Sequence, residues 1–321
     1  MKKVLITGAC GYLGARLSKY LAEKEYDVTV FDSFDSSDYR KWTSLMEEVI
    51  VGDIRDERTI SNLAKNNFDV VIHLISLDHH KSEENPIRVS SINVMPTWNL
   101  LDKLTKNGLK KFVYFSTIQV YGKIPNKIIT EDHIPAPLNV YGLTHLLSES
   151  ICNYFNEKTE TDCINIRLSN SYGSPVFSEN NCWWLVINDL CKTAYKENEI
   201  KLLSDGSPQR DFIHISDINR AIEILIEAEY SLDNNIFHIA SGETLTILEI
   251  ANIVKEVFLE RYSKKIPILL PKNSVSEYHD KLKDLESFVI DTTRIKEFGF
   301  QTKLDLNAGI NSLFKNFEKN Y

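Results

Sequence analysis

Short apolar runs rich in β-branched residues alternate with longer amphipathic stretches through the first half of the chain. The runs Lys3–Thr7, Val28–Phe31, Val49–Val51, Val70–Leu74, Phe112–Ser116 and Cys163–Arg167 read as strands. Between them, Tyr12–Glu23, Glu57–Lys65, Ile87–Lys106 and Val140–Asn156 repeat their apolar residues with a helical period. In the last of these Leu143, Leu146, Leu147 and Ile151 share one face. Strands alternating with helices predict a doubly wound α/β architecture, a parallel sheet with helices on both faces. Pro96 sits inside its helical pattern and predicts a kink or a split. After Arg167 the rhythm becomes irregular, with Trp183-Trp184, the run Asp205–Asp217 and a helical C-terminal region. This predicts a smaller cap domain, the chain returning to the sheet near Phe212–Ile215 and Ile236–Ala240. The expected division is 1–169 with 212–240 for the sheet domain, and 170–211 with 241–321 for the cap.

Bulk properties narrow the partners. A chain of 321 residues can bury one large core or two unequal ones. Its 43% apolar and 26% charged residues are the balance of a globular protein. The net charge of −8 argues against a nucleic-acid binder, which needs a basic face. It leaves room for a small anionic ligand, because a few local donors override the global field. Five cysteines, with no C-x-x-C pair, read as reduced thiols and not as a disulfide frame or zinc site. Asp78-His79-His80 lacks a third ligand at metal spacing, so it reads as a polar loop and no metal is expected. The opening apolar run stops at Thr7-Gly8, too short for a signal peptide, and no stretch approaches a membrane span. The expectation is a cytoplasmic protein without a membrane partner.

The segment Thr7-Gly8-Ala9-Cys10-Gly11-Tyr12-Leu13-Gly14 follows the first strand and opens the first helix. Glycine is needed where a chain turns tightly, where backbone approaches a pyrophosphate and where a helix packs on a strand. The helix start then offers N–H groups and a positive dipole end to phosphate. Asp32 ends the second strand 18 residues after Gly14, where a carboxylate accepts hydrogen bonds from a ribose 2′-hydroxyl and repels a 2′-phosphate. These features predict a Rossmann-type domain that binds NAD in preference to NADP.

With these motifs the sequence resembles the extended short-chain dehydrogenase/reductase family, the NAD-dependent nucleotide-sugar epimerases and dehydratases. Further landmarks are Gly52-Asp53-Ile54, His73-Leu74, Asn93, Ser116-Thr117 through Val120-Tyr121-Gly122, Tyr141, Arg167 through Tyr172-Gly173, Gly206 through Phe212, Gly242-Glu243, and Asp291 before Phe298-Gly299-Phe300. The resemblance covers essentially the whole chain. It implies that Asp53 and Ile54 meet the adenine, that Leu74, Ile75 and Asn93 lie along the cofactor, and that Thr117 and Tyr141 carry the proton chemistry. For the substrate, it implies contacts from Gln119, Asn170 and Arg210, and from Lys281 and Asp284 in the place of an Arg-x-x-Asp clamp. It also implies a homodimer formed by the helical regions Ile87–Lys106 and Val140–Asn156.

Hydride transfer from a carbinol needs a base for the hydroxyl proton. A free tyrosine, with a pKa of about 10, is too weakly acidic to serve at neutral pH. The family supplies positive charge from the nicotinamide and from a lysine one helical turn after the tyrosine. Here Tyr141-Gly142-Leu143-Thr144-His145 places histidine in that position. An ordinary histidine is about a quarter charged at pH 7, which predicts weaker or pH-gated help; His145 remains available to the nicotinamide ribose. A protein that binds without catalysis stays open as a second reading. After Thr117, the acid and base that dehydratases carry are replaced by Ile118 and Gln119, which argues against elimination of water. What remains is epimerisation at C4 through a transient ketone, or net reduction or oxidation of a 4-ketosugar. The NAD preference leans toward an epimerase of carbohydrate biosynthesis.

Overall fold

A computed structural model of the protein describes residues 1–33, 44–83, 85–123, 127–177, 179–180, 182–228, 235–271 and 287–320. Its strands are β1 (Lys3–Thr7), β2 (Asp27–Asp32), β3 (Glu48–Val51), β4 (Val70–His73), β5 (Lys111–Thr117), β6 (Ile128–Ile129), β7 (Asp162–Leu168), β8 (Asn170–Tyr172), β9 (Ile200–Lys201), β10 (Gln209–His214), β11 (Ile236–Ile239), β12 (Thr244–Thr246), β13 (Ile268–Leu269) and β14 (Val289–Ile290). Seven of them form one sheet in the order β11-β7-β5-β4-β1-β2-β3, and the pairs from β3 through β7 are parallel. The strand order reverses between β1 and β4. At such a switch point the loops after neighbouring strands leave in opposite directions and open a crevice at their carboxyl ends. The register pairs Thr7 with His73 and His73 with Tyr114, so β1 and β4 end level with each other while β5 runs three residues further, to Thr117.

Two compact units divide the chain. The first comprises residues 1–124, 131–168 and 222–238, the second residues 125–130, 169–221 and 239–321. The core of the first gathers Leu5, Phe31, Val71, Phe112 and Tyr114 from the strands with Leu100, Leu101, Leu104 and Phe155 from the helices. The second has its own core, which includes Tyr172, Ile187, Val254, Phe258, Phe314 and Phe317.

Two expectations meet the structure differently. Around Pro96 the pattern does split, into helices Pro86–Asn93 and Met95–Leu104. Pro96 lies in the first turn of the second, where its missing N–H would have no helical partner anyway. The return to the large sheet is narrower than expected. Residues 236–239 join it as β11, whereas β10 pairs with β8 and β12 in a separate three-stranded sheet. The apolar run Phe212–Ile215 does signal burial, but periodicity does not specify which sheet buries a strand. Among the described residues no helix is long and apolar enough to cross a membrane.

Candidate functional site

The turn after β1 is held by backbone contacts and close packing. Gly8 has φ +74°, in the left-handed region, and its N–H donates to the Phe31 carbonyl at 2.9 Å. A Cβ on Gly8 would meet the Ile75 nitrogen and the Leu74 carbonyl carbon at 3.1 Å. One on Gly14 would run into the Gly8 carbonyl and approach the Ala9 Cα to 2.8 Å. The bare Gly8 lets the turn pack on the segment after β4, and the bare Gly14 lets helix Tyr12–Glu23 sit directly on the turn. Gly11 is its N-cap, without a capping side chain, and the first turn holds no acidic residue. The positive end of the helix is thus left without a carboxylate of its own. Tyr12 and Leu13 are the first two helical residues and are half-buried.

Asp32 closes this corner. Its carboxylate accepts from Cys10 N–H at 2.9 Å and from Ser33 N–H at 2.7 Å. The uncapped helix start, the glycine cradle and the half-buried carboxylate fit a dinucleotide with a free ribose diol. Thr7 and His73 are fully buried, their Oγ1 and Nδ1 lying 2.6 Å apart across β1 and β4. Burial pushes the His73 pKa down to about 3, so this link is neutral. Asp53 is exposed and bonded to Arg55, which holds its carboxyl below the usual range, while the Ile54 side chain enters the core.

The second cluster lies around helix Val140–Lys158. Asn139 caps it by accepting from Gly142 N–H at 2.7 Å and donates to Gln119 Oε1 at 3.0 Å. A Cβ on Gly142 would come within 2.7 Å of the Gln119 carbonyl oxygen. Glycine after Tyr141 therefore lets the helix start pack on the turn that follows Thr117. Thr117 is buried and caps that turn, accepting from Gln119 N–H at 3.2 Å. Ile118 is buried at the same turn.

Tyr141 is half-buried, and its pKa is pushed up to about 12, first by burial and then by the Asp78 carboxylate. His145 packs against it edge-on, with ring centroids 4.5 Å apart. It is 2% exposed; Nδ1 lies 2.9 Å from the Tyr114 hydroxyl and Nε2 3.2 Å from Ser76 Oγ. Burial pushes its pKa down to about 4, so the ring is neutral near pH 7. Asn93, fully buried, accepts from Leu77 N–H at 2.8 Å and donates to Thr144 Oγ1 at 3.1 Å. It acts as a clip between two segments of the site.

Sequence reasoning did not single out the partners of this cluster. Tyr114 lies in an apolar strand and reads as core; Ser76 carries no motif. Nor did it find the buried base of the helix, where Glu149 accepts from Ser116 and pairs with Arg167 at 2.8 Å. Arg167 also donates to the Tyr121 hydroxyl at 2.7 Å and to the Glu131 carbonyl at 3.0 Å. A buried arginine with both a carboxylate and neutral acceptors is well satisfied, and it fixes the helix against β5 and β7.

In the second unit, Asn170 donates to the Asp211 carbonyl at 2.9 Å. Arg210 is exposed, with Nη1 on the Gln209 carbonyl at 2.7 Å. Trp183 packs on that unit's core, 5.4 Å from Phe317, while Trp184 is 41% exposed. Lys281 and Asp284 lie outside the described residues. Among the described residues no group of three or more His, Cys, Asp or Glu side chains is placed to hold a metal ion.

Comparison with known proteins places this geometry. The chain is 27% identical over 267 residues to the UDP-glucose 4-epimerase of Corynebacterium glutamicum, covering 79% of this chain and 80% of that one. It is 26% identical over 323 residues to the dTDP-4-dehydro-6-deoxyglucose reductase of Escherichia coli, covering 97% and 96%. Its fold matches the crystal structure of UDP-glucuronic acid 4-epimerase from Bacillus cereus in complex with UDP-glucuronic acid and NAD, with a TM-score of 0.81 at 22% identity over 99% of this chain and 100% of that one. The family model of the NAD dependent epimerase/dehydratase family matches residues 4–240. With that match spanning most of the sequence, the chain belongs to the NAD dependent epimerase/dehydratase family.

Proposed function

We propose that the protein is a nucleotide-sugar 4-epimerase. The observation that carries this reading is a glycine turn with Asp32 at the carboxyl ends of β1 and β2 in the same sheet as Thr117 at the end of β5, against whose turn the Tyr141 helix start packs, with no acid–base pair after Thr117. Ile118 is buried and Gln119 is bonded to Asn139, so neither is suited to the proton transfers of an elimination. NAD, when bound, supplies the acceptor and later the donor of the C4 hydride. Asp32 orients it by accepting from the adenosine ribose diol, and the N–H groups at the start of helix Tyr12–Glu23 take its pyrophosphate. The Tyr141 oxygen removes the C4 hydroxyl proton as the C4–H bond breaks, and returns it once the opposite face has been reduced. Thr117 hydrogen-bonds the same hydroxyl. Asn170, Arg210, Lys281 and Asp284 are our proposed contacts for the nucleotide diphosphate and ribose.

A panel of UDP-, GDP-, CDP- and dTDP-sugars, followed by mass and NMR analysis, tests the reading. An unchanged mass with altered ring couplings at C4 is expected. A gain or loss of two hydrogen atoms would instead favour the reductase reading that the Escherichia coli relative suggests. Binding without conversion of any sugar would favour a silent binder.

We also propose a homodimer. Met95 and Trp98 on one helix and Leu143, Leu147 and Tyr154 on the next are between 45% and 53% exposed, and the Trp98 and Tyr154 rings stack at 6.0 Å. Such a contiguous apolar stripe is commonly covered by a partner. Light scattering at micromolar concentration should show a dimer, and Leu147→Glu a monomer. A monomeric unmodified protein would remove the proposal.

A further inference from the structure

The departure at position 145 raises a question that the function alone does not answer: what a neutral, buried histidine does one turn after the catalytic tyrosine. Its surroundings are specific. Ser76 Oγ also donates to the Leu77 carbonyl at 2.9 Å. With that proton committed, a ring protonated at Nε2 donates to Ser76, and its bare Nδ1 accepts from the Tyr114 hydroxyl. This one neutral tautomer satisfies the whole chain Tyr114–His145–Ser76–Leu77. A second path joins the same two segments: Leu77 N–H to Asn93, Asn93 to Thr144 Oγ1, and Thr144 to the Tyr141 carbonyl at 3.0 Å. The segment that leaves β4 is thereby tied twice to the first turns of the tyrosine helix, at residues 141, 144 and 145.

We infer that His145 is a positioning residue, which locks the Ser76–Leu77 segment to the Tyr141 helix and sets the tyrosine ring by edge contact, and does not supply positive charge to it. The proposal deepens the epimerase reading and rests on it for the task of Tyr141. The groups around the ring support a neutral state. Tyr114 and Tyr141 face it, both with pKa values raised by burial. His73, close enough for its pKa to be lowered by His145, is itself neutral. The acidic side chain one turn on, Glu149, is already paired with Arg167. The Phe115 backbone carbonyl favours an imidazolium, and burial outweighs it. The charge that the family draws from lysine is thus replaced here by geometry, and the ionisation of Tyr141 relies on the cofactor's positive ring.

Three measurements on the full chain test this. Nitrogen-15 NMR of histidine-labelled protein should show His145 as a single neutral tautomer from about pH 5 to about pH 8, whereas a ring titrating near its ordinary value of about 6.5 overturns the proposal. Ser76→Ala and His145→Ala should each weaken NAD binding on the order of tenfold, as expected for one or two lost buried hydrogen bonds. His145→Gln, which keeps a donor toward Ser76, should recover most of the loss. The rate of turnover should fall in His145→Ala without a change in the shape of its pH profile; loss of a limb from the profile would mark a charge donor and overturn the proposal. Unchanged NAD affinity in Ser76→Ala would do the same. Neither the imidazole signal nor the NAD titration needs a substrate, so failure of this inference is distinguishable from failure of the epimerase reading.

Discussion

The glycine turn after β1 and the cluster around Tyr141 perform their tasks by opposite means. The turn uses backbone: a left-handed Gly8, an uncapped helix start at Gly11 and a Gly14 that admits no side chain. Fixed dipoles hold an anion in any protonation state, so this half of the site should be insensitive to pH and strict about volume. The tyrosine cluster uses side chains, and the cation at the base of its helix, Arg167, is committed to Glu149. Burial and Asp78 both oppose the phenolate, and His145 brings no charge to counter them. Cofactor binding is thus built into the fold, whereas proton transfer depends on what is bound. The comparison predicts that substitutions in the turn act on affinity, and those around the tyrosine on rate.

The largest effect is expected at the reacting oxygen. Tyr141→Phe should lower turnover roughly 100- to 10,000-fold, the usual range for a lost general base, while NAD affinity by fluorescence titration stays nearly unchanged. Turnover like that of the unmodified protein would break the proposed relay. Gly14→Ala should do the converse. Its methyl group must displace the Gly8 carbonyl or the helix, an overpacking cost of about 1–3 kcal/mol, read as a lower melting temperature and weaker NAD binding. Normal NAD affinity in that variant would show that the turn tolerates a shift.

A smaller effect is expected at Asp32. Asp32→Ala removes both the proposed ribose acceptor and the anchor of Cys10 N–H. NAD binding should weaken and the preference over NADP narrow by roughly tenfold, on the scale of one charge-assisted hydrogen bond. The mildest concerns Asp78. Its carboxylate opposes ionisation of Tyr141, so its removal favours the phenolate. Asp78→Asn should move the ascending limb of the pH–rate profile to lower pH, by less than about one unit for a single partly solvated charge. A shift to higher pH would mean that Asp78 acts on the reaction in another way.

The same contrast explains what was legible in the sequence. The turn is local: eight consecutive residues and one strand-end carboxylate carry it, and spacing alone placed every part. The sheet was equally readable, because each buried strand is a short continuous run. Tyr141 and Thr117 are proposed from a motif. The partners around Tyr141 were not legible, because Tyr114, Ser76 and Asn93 come from three parts of the chain and lie 31 to 69 residues from the helix residues they contact. A tyrosine within an apolar strand looks like core until its hydroxyl is seen at 2.9 Å from an imidazole. The ordinary histidine pKa, assumed from sequence, likewise gave way to burial. Strand β10 was misassigned to the large sheet for a related reason: burial is a local signal, and pairing is not.

The most direct test of the account uses a nucleotide sugar carrying deuterium in place of the C4 hydrogen, chosen from the panel as one the protein converts. Transient transfer at C4 breaks the carbon–deuterium bond and rebuilds it at the same carbon of the same molecule. The account predicts a slowed reaction whose epimeric product retains its deuterium at C4 and its total mass. Product that has lost the label, or labelled sugar epimerised at full speed, would contradict it.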